Sequence, residues 1–193
     1  MSVSLLGEDS RRALRERWNE SSRHYHGAQH LDECLALFDQ YRGLARDADA
    51  VEAALWLHDA IYDARAGDNE ARSAALAREM LSTEGVDAAR IAQVEAMILA
   101  TTHAAISADR DTRLLCDIDL AVLGATPERF AEYERQVREE YAWVPGLIYG
   151  RTRAKILERF LERPSIYQVP ELAARFEATA RTNLRDSIAA LRG

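Results

Sequence analysis

Apolar residues recur along most of the chain at intervals of three and four, the spacing that buries one face of a helix. No stretch alternates apolar and polar residues, or collects β-branched ones, for long enough to predict a strand. Good helix formers such as Ala, Leu, Arg and Glu fill most of the sequence, and only four Pro and nine Gly interrupt it. The pattern predicts an all-α fold.

Capping residues and breaks in the apolar periodicity divide the chain into helices. Gly27 leaves two starts open for the second helix, at His26 or just after it, and the third begins after Asp47 or Asp49. The predicted ranges are about Glu8 to Ser22, His26 or later to Tyr41, Asp47 or later to Tyr62, Asp68 to Ser82, Asp87 to Thr102, Leu114 to Gly124, Pro127 to Tyr141, Leu147 to Glu162 and Glu171 to Leu191.

The length and charge of the chain limit what it can be. With 193 residues it has room for one domain of the usual size, about 100–200 residues. The net charge of −7 argues against general binding to nucleic-acid polymers or anionic membranes, both of which need clustered cations. Met1 to Gly7 does not resemble a signal peptide, and no segment approaches the ~20 apolar residues of a spanning helix. We therefore expect a cytoplasmic protein.

The segment Leu55-Trp56-Leu57-His58-Asp59 places an imidazole and a carboxylate side by side in an otherwise apolar stretch. Burying ionisable groups without partners costs free energy. Either His58 is a core histidine paired with Asp59, or the two groups bind a divalent cation. The choice between these interpretations depends on the other ligands that the chain offers.

Further imidazoles and carboxylates occur near other helix ends. His26 and His30 lie one turn apart if the second helix includes both. His103 follows the fifth helix, where the helix dipole alone would stabilise it. Asp117 and Asp119 interrupt the next apolar run. Because residues two apart on a helix point in different directions, only one of these carboxylates is expected to face a shared ion.

Two polar stretches have both a structural and a functional interpretation. Asn69 and Glu70 open the fourth helix, where polar and acidic residues favour the positive end of the helix dipole. Their closeness to the His-Asp doublet also makes them candidates for contacting substrate or positioning water. Arg151, Lys155 and Arg159 form a basic stripe, which is either a solvated surface or a phosphate-binding surface.

The candidate ligands indicate which metals are suitable. Mixed imidazole and carboxylate ligation suits Mn, Fe, Ni, Co or Zn, and it suits Mg less well. The two isolated cysteines, Cys34 and Cys116, do not predict a disulfide framework or a Cys-rich structural zinc site. The sequence contains no zincin helix, P-loop, dinucleotide-binding Gly motif or Gly-x-Ser-x-Gly elbow.

Five short motifs occur together: Tyr25-His26-x-x-x-His30, Leu57-His58-Asp59-Ala60-Ile61-Tyr62, Asp68-Asn69-Glu70-x-x-Ser73-Ala74, Asp117-Ile118-Asp119-Leu120-Ala121-Val122-Leu123-Gly124 and Gly150-Arg151. Their order of a His, a His-Asp doublet and a distant Asp resembles the HD superfamily of metal-dependent phosphohydrolases, which are all-helical. The flanking residues resemble a small subfamily of predicted bacterial HD phosphohydrolases. The resemblance extends from about Trp18 to the C-terminus.

The resemblance implies a single-domain helical bundle of the HD type over residues 1–193. Residues 1–22 would form an N-terminal helix, and residues from about 127 to 193 would form helices packed on the core. One or two divalent metal ions would be held by His30, His58, Asp59 and Asp119, with Asp117 as the less favoured alternative to Asp119. The Gly-Tyr-Pro signature of cyclic-dinucleotide hydrolases and the nucleotidyl-synthetase region of alarmone enzymes are missing, so those substrates are not implied.

The function implied by the resemblance is hydrolysis of a phosphate ester, on a small metabolite or nucleotide, by a metal-activated water. Two alternatives are a di-iron oxygenase of the HD type and a non-enzymatic helical sensor or interaction module with a vestigial site. The expected catalytic residues are Asp59, Glu70 and His103, and the expected substrate-binding residues are His26, Asn69, Arg151 and Lys155. The expected partner is the small phosphorylated substrate, and the oligomeric state is not indicated.

Overall fold

The computed structural model describes residues 4–192, and every regular element among them is helical. The all-α prediction is therefore confirmed, and the first three residues of the predicted N-terminal segment lie outside the described range. No helix in this range is long and apolar enough to cross a membrane. The α-helices are α1 (Glu8–Trp18), α2 (Ala28–Tyr41), α3 (Ala48–Leu57), α4 (Asn69–Thr83), α5 (Ala88–Ala100), α6 (Arg110–Asp119), α7 (Pro127–Glu140), α8 (Gly146–Leu161) and α9 (Pro170–Arg192).

The described residues form two compact units. The first ends at Asp119 and contains α1 to α6, and the second begins at Leu120 and contains α7 to α9. Each unit buries its own apolar side chains, among them Leu31, Phe38, Leu55, Met97 and Leu115 in the first and Phe130, Leu157, Tyr167, Leu172 and Leu184 in the second. The single-domain organisation stays a prediction.

α3 is the central helix of the first unit. It contacts each of the other five α-helices there, and most of its side chains are buried. Its residues are apolar almost all round, which is typical of a helix with little solvent-facing surface. Asp47 caps its start by accepting a hydrogen bond from the backbone N–H of Ala50 at 3.1 Å. A residue at the C-terminal end of α3 therefore emerges inside the unit.

The prediction that the third helix continues to Tyr62 is wrong, because α3 ends at Leu57. The apolar periodicity continues beyond that point, but the backbone groups that would continue the helix bind side chains from elsewhere. The guanidinium of Arg23 donates to the carbonyl oxygens of Asp59 at 2.5 Å and Ala60 at 3.0 Å. Ile61 N–H donates to Ser73 Oγ at 3.1 Å instead of to the Leu57 carbonyl, so a tertiary hydrogen bond replaces a helical one there.

The segment between the first two helices is also longer than predicted. α1 ends at Trp18 instead of Ser22, and the Asn19 side chain caps it by donating to the carbonyl of Arg15 at 2.9 Å. α2 begins after Gly27, which is its N-cap residue. Of the two starts that the sequence left open, the later one is correct, so His26 precedes the helix.

The predicted helical run from Leu114 to Gly124 contains two elements. α6 ends at Asp119, and a 3-10 turn, Leu120–Gly124, follows it in the second unit. Side chains of α9 and of the segment before it satisfy the carbonyls of this turn. The Tyr167 hydroxyl donates to Leu120 at 3.1 Å, and the Asn183 amide donates to Leu123 at 2.9 Å. The other predicted helices match α4, α5 and α7 to α9 closely.

Gly124→Ala is expected to lower the free energy of unfolding by about 1–3 kcal/mol through overpacking. A Cβ at Gly124 would lie 2.6 Å from Cβ and 2.7 Å from the carbonyl oxygen of Phe176, so the backbone of α9 would have to move. Gly146→Ala is the control, because a Cβ there meets no heavy atom within 4 Å. Chemical denaturation of both variants tests this, and equal stabilities would contradict it.

Candidate metal centre

Three side chains from separate parts of the first unit converge: His30 on α2, His58 just after α3, and Asp119 at the end of α6. His30 Nε2 lies 3.1 Å from Asp119 Oδ1 and 3.2 Å from His58 Nε2, and His58 Nε2 lies 3.6 Å from Asp119 Oδ1. Ligands bound at about 2.1 Å from one ion lie about 3.0–3.4 Å from each other. The spacing therefore fits a single metal ion.

The hydrogen bonding of His58 also fits a metal ligand. Its Nδ1 lies 2.9 Å from the carbonyl oxygen of Leu55, which can only accept, so we assign the ring proton to Nδ1. In the neutral ring, Nε2 then directs a lone pair toward His30 and Asp119. Lone pairs that converge at these distances repel each other unless a proton or a cation lies between them, and fixing the tautomer from behind is typical of ligating histidines.

The electrostatics of the cluster favour a positive charge at its centre. Burial lowers the pKa of His58, but the carboxylates of Asp59 and Asp119 outweigh this effect and raise it to about 9. Burial raises the pKa of Asp119, but hydrogen bonds with His103, His30 and His58 hold it well below the usual range. The carboxylate is therefore ionised, and either a protonated His58 or a metal cation can balance its charge.

Asp59 and His103 extend the cluster on two sides. Asp59 Oδ2 lies 3.3 Å from His58 Nε2, and His103 Nε2 lies 2.8 Å from Asp119 Oδ2. His103 has a φ of 52°, in the left-handed region that few residues other than glycine adopt. Such conformations are concentrated at functional sites. The five predicted residues His30, His58, Asp59, His103 and Asp119 thus lie together.

Asp119 is the aspartate of its pair that contacts the histidines. Asp117 is also buried on α6 and has interactions of its own. The two side chains are about 200° apart around the helix axis, which agrees with the expectation that only one would face the site. Asp119 therefore lies against both histidines, and its role as a metal ligand stays a prediction.

Aromatic rings surround the imidazoles. The ring of Trp18 lies 5.4 Å from that of His58, and the ring of Tyr25 lies 4.7 Å from that of His30. Trp18 is held in place by a hydrogen bond from its Nε1 to the carbonyl oxygen of Trp56 at 3.0 Å. Behind His30, burial and then Asp119 raise the pKa of the Cys34 thiol, so this sulfur stays protonated.

The other predicted site residues lie in different surroundings. His26 stacks on Tyr62 with ring centroids 4.0 Å apart, and its ring lies 6.3 Å from that of His30. Glu70 lies half-buried in the first turn of α4. Arg151 and Lys155 are exposed on α8, in the second unit. The roles predicted for these four residues stay predictions.

Asn69, predicted to contact substrate, uses its amide group on the backbone of Asp63. Its Oδ1 accepts from Asp63 N–H at 3.1 Å, and its Nδ2 donates to the Asp63 carbonyl at 3.0 Å. Two further residues, to which the sequence assigned no role, bind the neighbouring backbone: Arg23 and Ser73. For Ser73, its position one helical turn after Asn69 could have indicated that both side chains bind the same segment. For Arg23, no neighbouring residue indicated its contacts.

No protein-family model, no curated protein and no solved structure matches this chain. The relation to the HD superfamily therefore stays a resemblance of short motifs, and functional inference depends on the geometry of the site.

Proposed function

We propose that this protein is a metal-dependent phosphohydrolase that acts on a phosphate ester of a small metabolite or nucleotide. The observation that supports it most directly is the convergence of His30, His58 and Asp119, whose ligand atoms lie within 3.6 Å of one another. Asp59 and His103 adjoin this cluster and add a carboxylate and an imidazole capable of proton transfer.

In this proposal His30, His58, Asp59 and Asp119 hold a divalent ion, whose identity is Mn, Fe, Ni, Co, Zn or Mg. When bound, such an ion supplies a water of lowered pKa and a positive charge for a phosphoryl oxygen. Asp59 also orients the attacking water. Trp18 and the other buried rings around the imidazoles keep bulk water from the ligands.

The remaining predicted residues act on water and substrate in the same proposal. Glu70 positions or deprotonates water, and His103 exchanges a proton with the reacting groups. His26 contacts the substrate. Each of these roles predicts a variant that loses turnover and keeps its metal.

Metal content is the first test, by elemental analysis of protein purified without added metal and without a nickel column. Wild type is expected to contain near-stoichiometric metal, and Asp59→Ala is expected to lose it while keeping its helical content. Asp68→Ala is the control, because Asp68 is an exposed carboxylate of the same unit. Metal retained in Asp59→Ala would contradict the role of Asp59 as a ligand.

The stoichiometry also separates the alternatives. Asp119 directs Oδ1 toward His30 and His58, and its Oδ2 lies 2.8 Å from His103 Nε2, so His103 would have to exchange this contact for a second ion. Two equivalents of iron would favour oxygenase chemistry over hydrolysis. Wild type without metal, and with a thermal stability that a chelator does not change, would instead favour a non-enzymatic interaction module.

A further inference from the structure

His58 and Asp59 are consecutive residues, yet their side chains converge. Asp59 Oδ2 lies 3.3 Å from His58 Nε2. In a continuous helix successive side chains are about 100° apart around the axis and do not face each other. The two groups meet at the end of α3, where the backbone stays helical through His58 and turns after it, with Ala60 N–H donating to the Leu57 carbonyl at 3.1 Å.

Arg23 binds the carbonyl oxygens of the first residues that follow His58. In a continued helix the carbonyl oxygens of Asp59 and Ala60 would accept from N–H groups four residues later. Here both accept from the guanidinium of Arg23, which also donates to the carbonyl of His26 at 3.2 Å. The Arg23 side chain is 1% exposed, so it is a buried element of the turn.

Ser73 and Asn69, one helical turn apart on α4, supply the next contacts. Ile61 N–H donates to Ser73 Oγ at 3.1 Å, while the Leu57 carbonyl that it would bind in a helix accepts from Ala60 instead. Ser73 Oγ donates in turn to the Ile61 carbonyl at 3.3 Å. Asn69 binds both backbone groups of Asp63.

The three side chains therefore hold backbone groups of four residues just after α3: Asp59, Ala60, Ile61 and Asp63. We name Arg23, Asn69 and Ser73 the backbone clamp. Ser73 is fully buried, and Arg23 and Asn69 are each less than one tenth exposed. Arg23 also lies between the rings of Trp18 and Tyr62, with its guanidinium carbon 5.7 and 5.9 Å from their centroids. These contacts leave the clamp little freedom to rearrange.

We propose that the backbone clamp consists of positioning residues, which turn the chain after His58 so that the Asp59 carboxylate faces the metal cluster. The inference rests on the proposed function, because the clamp positions Asp59 to bind the ion that this function requires. It differs from the prediction that Asn69 contacts substrate, because here Asn69 acts through Asp63 and the turn. The clamp residues touch neither the ion nor the substrate.

The test compares Mn²⁺ affinity, measured by calorimetric titration of metal-free protein, in wild type, Arg23→Lys and Ser73→Ala. Lysine keeps the charge of Arg23 but lacks the planar fork that reaches two carbonyls at once. Ser73→Ala removes two hydrogen bonds with little change of volume, so we expect it to remain folded. Both variants are expected to bind Mn²⁺ about 10- to 100-fold more weakly, the usual effect of losing support behind a ligand.

Asp111→Asn separates positioning from general destabilisation. Asp111 is buried in the same unit and accepts from the backbone N–H groups of Arg46 at 2.8 Å and Asp47 at 2.9 Å. It thus clamps a different backbone segment. This variant is expected to lose thermal stability and to keep its Mn²⁺ affinity. Amide hydrogen exchange is expected to rise at Ile61 in Ser73→Ala and to stay unchanged there in Asp111→Asn.

The outcomes that overturn the inference are distinct. Unchanged Mn²⁺ affinity in both clamp variants would overturn it while leaving the proposed function in place. An equal loss of affinity in Asp111→Asn would also overturn it, because the effect would then follow stability alone. Wild-type protein that binds no divalent metal would overturn the inference together with the proposed function.

Discussion

Asp119→Asn is expected to lower the affinity for a divalent metal by at least about 100-fold, whereas Asp117→Asn is expected to change it only slightly. Asp119 presents Oδ1 to His30 and His58 and Oδ2 to His103. The amide keeps the volume of the side chain but removes its charge and one acceptor oxygen. Titration of metal-free protein with Mn²⁺ or Zn²⁺ measures the difference.

Asp117→Asn is the matched control, because Asp117 lies two residues away on the same helix and is buried, while the Asp119 side chain is only 14% exposed. Each variant replaces a largely buried carboxylate by an amide, so an unspecific loss of stability would appear in both. Thermal unfolding without metal measures that loss separately. Affinity lost in Asp117→Asn and kept in Asp119→Asn would reverse the assignment of the ligand.

Arg153→Ala is expected to lower the free energy of unfolding by about 3–5 kcal/mol, the cost of breaking a buried ion pair by removing one partner. The guanidinium of Arg153 donates to Glu134 Oε1 and to the Tyr133 hydroxyl, each at 2.5 Å. Its side chain is only 10% exposed, and that of Glu134 is 18% exposed. Alanine would leave the Glu134 carboxylate without its cation in this poorly solvated place.

The control for this prediction is Arg159→Ala, which removes an exposed guanidinium from the same helix, α8. Surface substitutions of this kind usually change stability by about 0.5 kcal/mol or less. Denaturant titration followed by circular dichroism compares the two variants with wild type. A loss below about 1 kcal/mol in Arg153→Ala would mean that the pair stabilises the second unit much less than its burial indicates.

Most helices of this protein are predictable because helix formation depends on near neighbours in the sequence. Asp87 caps α5 by accepting from the N–H groups of Ala89 and Arg90, and such a cap can be recognised in the sequence. The C-terminal end of α3 is different. Its apolar periodicity continues to Tyr62, but the backbone after Leu57 binds side chains such as that of Arg23, more than thirty positions earlier.

The candidate site is also predictable from the sequence only in part. A His-Asp doublet in an apolar stretch already indicates buried charges that need compensation, so His58 and Asp59 can be selected from the sequence. Whether His103 joins them depends on how the segment after α5 folds back on α6, and its φ of 52° has no signature in the sequence. His26 illustrates the opposite case, since its ring stacks on Tyr62 outside the ligand cluster.

By itself the sequence determined the helical class, most helix bounds and the residues that supply imidazole and carboxylate groups. Only the tertiary structure decided that Asp119 contacts His30 and His58, and that α3 stops at Leu57. Capping and periodicity act over a few residues, so their effects can be predicted from neighbours. Contacts such as that of His30 with Asp119 and that of Arg23 with Asp59 join residues dozens of positions apart, and their free energy depends on packing that only the folded chain has.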